Sequence, residues 1–394
     1  MEKKVLFTAS TYSHIVNFHL PYLAAFRENG WIVHVACGGR EMPIDCADAV
    51  MHAPFQKKMS SPENFKVAGK LRTLIKSERY DLICTHTSLA AFFTRLAVKG
   101  LRNRPRVINM AHGYLFDDRT APLKRSILLA AERLTAPETD LLLTMNRFDY
   151  ETAIKHHLGR QVQNVPGIGV DFSAMHPISA EERNRLRREL GISQDKFVLI
   201  YAAEFSKRKN QSVLIHALKK LPNQVILVLA GDGALLDECK ALAGVLDLRD
   251  RVLFPGYIRD IPLWYGASDA VVSSSRSEGL PFNIMEAMHL GLPVVASDVK
   301  GHEDLICHGE TGLLYPYGDS DACAAQILTL MESESLSDRI AHNAKEFVAQ
   351  FDLNEVFPVI MNLYMAAEDE ILTTSGKVDA QWQEKEALSH HSKD

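Results

Sequence analysis

The chain has 394 residues, of which 46% are apolar and 24% charged, values that are ordinary for a folded globular protein. The length suggests at least two domains, and the composition excludes disordered, collagen-like and disulfide-rich chains. Residues 1–170 carry 23 basic and 15 acidic side chains, whereas residues 171–394 carry 21 and 34. This asymmetry favours an anionic substrate or membrane surface as partner of the first half over nucleic acid, which usually binds a more basic domain.

The cysteine pattern and the hydropathy indicate where such a chain resides. The six cysteines form no C-x-x-C pair, as in reduced cytosolic proteins without a zinc site. No apolar run approaches the ~18 residues of a membrane span, and the stretch after Lys4 stops at Ser10, too short for a signal peptide. We expect a cytoplasmic protein, with peripheral attachment to the inner face of the plasma membrane left open.

Short β-branched runs alternate with helical stretches along the chain, in two successive sets. The first set of predicted strands is Val5–Thr8, Ile32–Ala36, Leu82–Thr85, Val107–Ala111 and Leu141–Thr144. The second set is Val198–Ala202, Val225–Ala230, Val252–Phe254, Ala270–Ser273 and Val294–Ala296. This alternation predicts an α/β fold with two Rossmann-like, doubly wound parallel sheets, whose ligands bind in a cleft at the carboxyl ends of the strands.

A Pro/Gly-rich segment, Val165–Asp171, predicts the linker between the two domains. The predicted organisation is one Rossmann-like domain over 1–170 and a second Rossmann-like domain over 171–355. A helix over 356–372 is expected to return to the first domain, and the polar residues 373–394 are expected to be disordered.

Several common nucleotide and nucleophile motifs are missing. Gly231-Asp232-Gly233 is followed by Leu236 where a dinucleotide fingerprint needs its third glycine, which argues against an NAD dehydrogenase. The chain also lacks G-x-x-x-x-G-K-[ST] and G-x-S-x-G, which excludes a P-loop and a hydrolase nucleophile elbow.

The most informative segment is Ser277–Met288, which follows the strand Ala270–Ser273. Gly279 and Pro281 predict a tight turn into a helix. A strand, a glycine turn and a helix N-terminus together form an anion site, for which a nucleotide diphosphate is the natural ligand. Glu278 lies on the turn, and Glu286 lies among apolar helix residues. A carboxylate in such surroundings needs hydrogen-bond donors, which sugar hydroxyls would supply; the alternative for each glutamate is an ordinary solvent-facing acid.

The E-x7-E spacing of Glu278 and Glu286 resembles that of retaining glycosyltransferases of family 4, which have the two-domain GT-B fold. The resemblance extends to Gly231-Asp232-Gly233, Val252–Tyr257, Gly291–Asp298 and Glu310–Leu314. In the first domain, Ser13–Pro21 and Ala111-His112-Gly113 resemble the branch that builds bacterial capsules and exopolysaccharides.

The resemblance implies roles for individual residues. Glu286 would bind the ribose hydroxyls, Glu278 and His112 would contact the donor sugar, and Lys209 would bind the diphosphate as a flexible cation. The donor and nucleotide contacts implied in addition are Gly279, Leu280, Pro281, Arg208, Gly256, Tyr257, Ser13 and His14. The family often has an arginine where this chain has Glu204, so Arg208 would have to compensate.

The implied reaction is transfer of a sugar, with retention, from a nucleotide diphosphate sugar, by default a UDP-sugar, to a saccharide acceptor linked to a polyprenyl diphosphate. We expect no metal and no cofactor, because helix N-termini and cations would stabilise the departing diphosphate. Two alternatives remain: a non-catalytic sugar-nucleotide-binding assembly protein, and a sugar-nucleotide epimerase of the same fold.

Two basic clusters in the first half suggest how such an acceptor is reached. Residues 57–79 contain seven basic and two acidic side chains, and Val67, Leu71 and Ile75 recur on one helix face. A second cluster comprises Arg95, Lys99, Arg102, Arg104 and Arg106. The hypothesis is that these charges rest on an anionic leaflet; the alternative is a solvated basic surface on a packed helix.

Overall fold

The computed structural model describes residues 2–366, which form two compact units. Among the described residues, the first unit comprises 2–168 and 357–366, and the second unit comprises 169–356. Each unit is built on a parallel sheet flanked by helices, which confirms the predicted α/β class. In residues 2–366 no helix is both long and apolar enough to cross a bilayer. The expected disordered tail, 373–394, lies outside the described residues, as does the segment 367–372.

The first unit contains a seven-stranded parallel sheet. Its strands are β1 (Lys4–Thr8), β2 (Ile32–Cys37), β3 (Ala49–His52), β4 (Leu82–His86), β5 (Arg106–Ala111), β6 (Leu141–Thr144) and β7 (Gln161–Asn164). The strand order is β3-β2-β1-β4-β5-β6-β7. Its helices are α1 (Tyr12–Phe18), α2 (Leu20–Glu28), α3 (Pro62–Glu78), α4 (Ser88–Val98), α5 (Pro122–Thr135) and α6 (Arg147–His156).

The second unit contains a six-stranded parallel sheet in the order β10-β9-β8-β11-β12-β13. Its strands are β8 (Phe197–Ala202), β9 (Val225–Ala230), β10 (Val252–Gly256), β11 (Ala270–Ser273), β12 (Val294–Asp298) and β13 (Leu313–Pro316). Its helices are α7 (Ala180–Glu189), α8 (Ser212–Leu218), α9 (Leu236–Val245), α10 (Ile261–Ala267), α11 (Phe282–His289), α12 (Ser320–Glu332) and α13 (Glu334–Val348).

The ten predicted strands all form, because buried parallel strands read as unbroken apolar runs. Every residue of β9 is buried, for example. Three edge or near-edge strands were not predicted. β3 is largely exposed, three of the four residues of β7 are polar, and β13 ends at Pro316. Edge positions demand fewer apolar residues and tolerate proline, so their sequences lack the signal of a central strand.

The last described helix, α14 (Leu353–Met365), spans the boundary between the units, which falls after Val356. In the first unit, the Tyr364 ring packs edge-on to Phe7 at a centroid distance of 6.0 Å. The guanidinium of Arg106 donates to the carbonyls of Leu363, Tyr364 and Ala366. Ring packing and these hydrogen bonds hold the end of α14 against β1 and β5 of the first sheet.

The second basic cluster of the first unit is not a free surface. Arg95 is fully buried and paired with Glu132 at 2.8 Å, and Arg104 is paired with Asp140. Arg106 donates to carbonyls at the end of α14 and Lys99 donates to the Leu134 carbonyl, so four of the five cations have internal partners. The first cluster differs: α3 buries Val67, Leu71 and Ile75, and it leaves several lysines exposed.

Candidate functional site

The carboxyl edge of the second sheet has a topological switch point between β8 and β11. The chain leaves β8 towards β9 on one side, whereas β11 continues to β12 on the other. Loops that diverge in this way open a crevice, where ligands of doubly wound folds bind. The loop after β8 carries Arg208 and Lys209, and the loop after β11 carries Glu278.

Glu278 joins the two loops through a buried ionic cluster. One carboxylate oxygen accepts a hydrogen bond from Lys209 Nζ at 2.6 Å, and the other accepts one from Arg208 Nη1 at 2.6 Å. Glu278 is 8% exposed. Burial alone would raise its pKa, but Lys209 and Arg208 outweigh that effect and lower the pKa to about 2. The carboxylate is therefore charged at neutral pH and holds two cations at the switch point.

Sequence reasoning missed a set of buried polar residues beneath this cluster. His302 Nδ1 donates to the Ser297 carbonyl, so its Nε2 accepts from the Ser273 hydroxyl. Burial lowers the pKa of His302 to about 4, so the ring is neutral at pH 7. Ser274 and Ser275 continue the polar run, and the Ser274 hydroxyl donates to the Lys209 carbonyl. The sequence feature that could have indicated these buried polar residues is the run of three consecutive serines at the end of a buried strand.

Glycines let the loops approach one another closely at the switch point. A Cβ on Gly301 would lie 2.8 Å from the Cβ of Glu278, and Gly301 has a φ of +87°. Gly231 and Gly233 also have positive φ, and a Cβ on either would lie within 2.5 Å of a backbone oxygen of the loop after β8. Any other residue would push these loops apart, so the Gly-Asp-Gly motif has a packing role.

Glu286 lies on α11 and differs from Glu278 in its environment. Its side chain is partly buried, and the described residues offer it no hydrogen bond. Burial raises its pKa to about 7 because the ionised form is poorly solvated. The neighbouring Tyr265 hydroxyl donates to the Asn283 carbonyl. Glu286 is therefore a carboxylate that needs donors from outside the chain.

The remaining expected donor contacts lie on the same edge of the second sheet. Leu280 is buried and Pro281 caps the N-terminus of α11, directly after Gly279. The Gly256 carbonyl accepts from the Gly231 amide at 2.8 Å, and the neighbouring Tyr257 is 79% exposed. These positions border the switch point.

The side chain of Glu204 is exposed, and its backbone carbonyl accepts a hydrogen bond from the Gln211 side-chain amide. Arg208, four residues later, reaches the position next to Lys209 on Glu278. Arg208, which directly precedes Lys209 in the chain, thus supplies the second cation at Glu278.

The first unit gathers Ser13, His14 and His112 at the carboxyl edge of its own sheet. Ser13 and His14 lie on α1, immediately after β1, and His112 directly follows β5. His14 Nε2 and His112 Nε2 are 3.4 Å apart. Two further histidines, His19 and His86, complete this cluster.

Sequence reasoning missed His19 and His86. Both are fully buried, and their ring centroids are 3.8 Å apart. Burial is the main cause that lowers the pKa of His14 to about 4 and those of His19, His86 and His112 well below 6.5. All four rings are neutral at pH 7. The sequence feature that could have indicated His86 is its position, one residue after a predicted strand.

Two family models match this chain over most of its length. Residues 22–166 match the model described as Glycosyltransferase Family 4. Residues 182–347 match the model described as Glycosyl transferases group 1. The two matches fall in the first and second units respectively.

Similar solved structures share the fold. The chain superimposes on HepE from Anabaena, solved in complex with UDP and glucose, with a TM-score of 0.77 and 23% identity over 92% of this chain and 99% of HepE. The glycosyltransferase WaaG, involved in lipopolysaccharide biosynthesis, gives a TM-score of 0.71 and 18% identity over 92% of this chain and all of WaaG. Both confirm the expected GT-B architecture.

Sequence relatives extend the likeness to proteins named as glycosyltransferases. A UDP-Gal:α-D-GlcNAc-diphosphoundecaprenol α-1,3-galactosyltransferase from Escherichia coli is 26% identical over 78% of this chain and 81% of its own. EpsD from Bacillus subtilis, named as a glycosyltransferase, is 34% identical over 94% of this chain and 98% of its own. On this identity and the two matching models, the chain belongs to the glycosyltransferases of the GT-B fold.

Proposed function

We propose that the chain transfers a sugar, with retention of configuration, from a UDP-sugar to a polyprenyl-diphosphate-linked saccharide during exopolysaccharide or capsule synthesis. The observation that carries this proposal is the pair Glu278 and Glu286 at the switch point of the second unit. One carboxylate is ionised and holds Lys209 and Arg208, and the other is without hydrogen-bond donors.

The two cations are suited to a departing diphosphate. Lys209 and Arg208 already lie 2.6 Å from carboxylate oxygens, so their positions are fixed before a ligand arrives, which limits the reorganisation needed in the transition state. Arg208 is half exposed and can turn towards a phosphate, while Lys209 keeps its contact with Glu278. The chain would thus stabilise leaving-group charge with its own side chains and without a metal in the donor site.

Glu286 is suited to ribose hydroxyls. Two hydroxyl donors would supply the hydrogen bonds that its carboxylate lacks, and charge-assisted bonds of this kind are the stronger class. Nucleotide binding would then lower the pKa of Glu286 from about 7, because hydrogen bonds favour the ionised form.

For the chemical step we propose front-side attack within an ion pair. The bond from the sugar to the diphosphate breaks first, and the acceptor hydroxyl then bonds to the same face of the sugar and gives its proton to the released phosphate. Glycosyl transfer passes through an oxocarbenium-like transition state. Glu278 and His112 would contact the donor sugar, and no residue acts as a covalent nucleophile.

The transfer assay uses a panel of UDP- and GDP-sugars with a polyprenyl-diphosphate-linked monosaccharide, followed by mass spectrometry. The proposal predicts a product heavier by one sugar residue. A sugar nucleotide altered in the absence of acceptor would indicate the epimerase, and binding without any product would indicate the assembly protein.

We further propose that the first unit rests on an anionic membrane surface that presents the acceptor. Helix α5 exposes Leu123, Ile127 and Leu134, with exposed fractions of 75%, 60% and 49%. Both α3 and α5 pack against α4, and α3 exposes Lys66 and Lys70. An apolar helix face beside cations is typical of interfacial binding, and each lysine near the surface contributes about 1 kcal/mol.

Liposome co-sedimentation tests this attachment. Leu123→Asp with Ile127→Asp is expected to abolish binding to anionic vesicles at low salt. Val245→Asp is the matched control, because Val245 is 80% exposed on α9 of the second unit. Equal binding by both variants, or equal binding to neutral vesicles, would contradict the proposal.

A further inference from the structure

The four histidines of the first unit converge from three neighbouring strands. His14 follows β1, His86 ends β4 and His112 follows β5, and β1, β4 and β5 are adjacent in the sheet. His19 lies between α1 and α2. One ring nitrogen from each residue lies within 4.8 Å of the corresponding nitrogens of the other three. The fold thus brings four imidazoles to one point.

The measured separations fit a tetrahedral metal centre. A Zn–N bond is about 2.0–2.1 Å, so two ligand nitrogens of a tetrahedral zinc site are about 3.3–3.4 Å apart. His14 Nε2 lies 3.4 Å from His112 Nε2, and His86 Nδ1 lies 3.2 Å from the same atom. Two of the six ligand–ligand distances therefore already match, and all four ligand nitrogens lie within 4.8 Å of one another.

Hydrogen bonding inside the chain leaves this cluster incompletely satisfied. Within residues 2–366, both ring nitrogens of His19 are buried without a partner. A buried polar group without a partner destabilises the fold. His112 Nε2 faces two other ring nitrogens, although a single nitrogen offers one proton or one lone pair. A cation at the centre would use one lone pair from each neutral ring.

The imidazole ligands and the accessibility of the cluster indicate which class of cation would bind. Imidazole suits Zn²⁺, Cu²⁺ and Ni²⁺, whereas Mg²⁺ and Ca²⁺ prefer oxygen ligands. His19 and His86 are fully buried, but His14 and His112 are partly exposed. The partly exposed pair, His14 and His112, provides a path by which a cation enters. The buried pair, His19 and His86, is held rigidly.

We propose that His14, His19, His86 and His112 bind a transition-metal cation, with Zn²⁺ as the preferred ion. The expectation of no metal came from the view that helix N-termini and cations stabilise the departing diphosphate, and it did not consider a site that forms only when three strands meet. This site lies within the first unit and does not depend on the proposed donor site of the second. Coordination through Nε2 would withdraw His112 from the donor sugar, so the Zn²⁺-loaded chain is expected to be inactive in transfer until a chelator removes the metal.

The test is metal binding by the full-length chain without an affinity tag, after treatment with EDTA and dialysis. Calorimetry with Zn²⁺ is expected to give one strong site, and Co²⁺ is expected to give the visible absorption of a tetrahedral centre. Mg²⁺ is expected to give neither signal. His14→Gln and His86→Gln should each weaken Zn²⁺ binding at least 10-fold and remove the Co²⁺ absorption.

His216→Gln is the matched control, because His216 is exposed on α8 of the second unit; its Zn²⁺ affinity should equal that of the wild type. Circular dichroism verifies that each variant is folded, and His14→Gln, at the partly exposed side of the cluster, keeps the test valid where His86→Gln does not fold. Zn²⁺ affinity that is equal in wild type and His14→Gln, or absent in both, would overturn the proposal and leave a buried imidazole cluster. Transfer activity is not needed for this result, so failure of the proposed function would not be mistaken for failure of the metal site.

Discussion

The same substitution at two glutamates of the second unit should change stability in opposite directions. Glu278→Gln removes a carboxylate whose pKa in the folded chain is about 2, and Glu286→Gln removes one whose pKa is about 7. An unperturbed glutamate has a pKa near 4.5. Folding therefore favours the ionised form of Glu278 and the protonated form of Glu286.

The magnitude for Glu278 follows from the lowered pKa. At about 1.4 kcal/mol for each pH unit, ionisation of Glu278 contributes about 3 kcal/mol to the stability of the fold above pH 4.5. This contribution is lost as the pH falls from about 4.5 towards 2. Glu278→Gln also leaves Lys209, which is 12% exposed, without its anion. We expect a loss of about 3 kcal/mol at pH 7, which lowers the Tm of a unit of this size by about 6–12 °C.

Glu286 has the reverse pH dependence. Its raised pKa means that the ionised side chain destabilises the fold, fully so above pH 7 and not at all below 4.5. The upper limit of this destabilisation is about 3 kcal/mol, and partial exposure of the side chain reduces it. We therefore expect Glu286→Gln to increase the free energy of unfolding by about 1–2 kcal/mol at pH 8. A destabilising native carboxylate of this kind is typical of a ligand site.

Differential scanning calorimetry of the full-length chain at pH 8 and pH 4 measures both effects. Glu204→Gln is the control, because Glu204 is exposed in the same unit and should change stability by less than about 0.5 kcal/mol. At pH 4 the gain from Glu286→Gln should disappear, and the loss from Glu278→Gln should shrink. The reasoning is refuted if both variants shift the Tm in the same direction by similar amounts at pH 8.

Three further predictions concern ligand binding and catalysis. UDP affinity of the wild type should rise as the pH increases through about 7, because Glu286 becomes ionised; a pH-independent affinity would exclude Glu286 from the site. Lys209→Met should lower the rate of transfer about 10²–10³-fold, the range typical for loss of one group that stabilises a developing charge; an unchanged rate would remove Lys209 from the chemistry. Transfer should also survive EDTA, and activity restored only by Mg²⁺ or Mn²⁺ would contradict a metal-free donor site.

The sheets were predictable because their central strands are apolar runs of four to six residues bounded by turns. β3 and β7 were not, because an edge strand needs no such run. In the second unit, Glu278 and Glu286 stood out by their spacing around a glycine turn. Arg208 could not be assigned with the same certainty, because the side chain that reaches Glu278 depends on the path of the loop after β8.

The histidine cluster shows a different limit. His19 and His86 are 67 positions apart in the sequence, and no local pattern links the two. They meet because β1 and β4 are neighbours in the sheet, which is a property of strand order. Burial of His302 beside three serines has the same origin, since β11 and β12 bring these residues together.

The central claim, a nucleotide-sugar donor site at the switch point of the second unit, is tested most directly by calorimetric titration of UDP at pH 8. The account predicts one binding site in the wild type and an affinity about 10- to 100-fold lower in Glu286→Gln, as expected for loss of hydrogen bonds to a charged group. Glu204→Gln should bind UDP as the wild type does. Equal UDP affinity in wild type and Glu286→Gln, or no UDP binding by the wild type, would contradict the account.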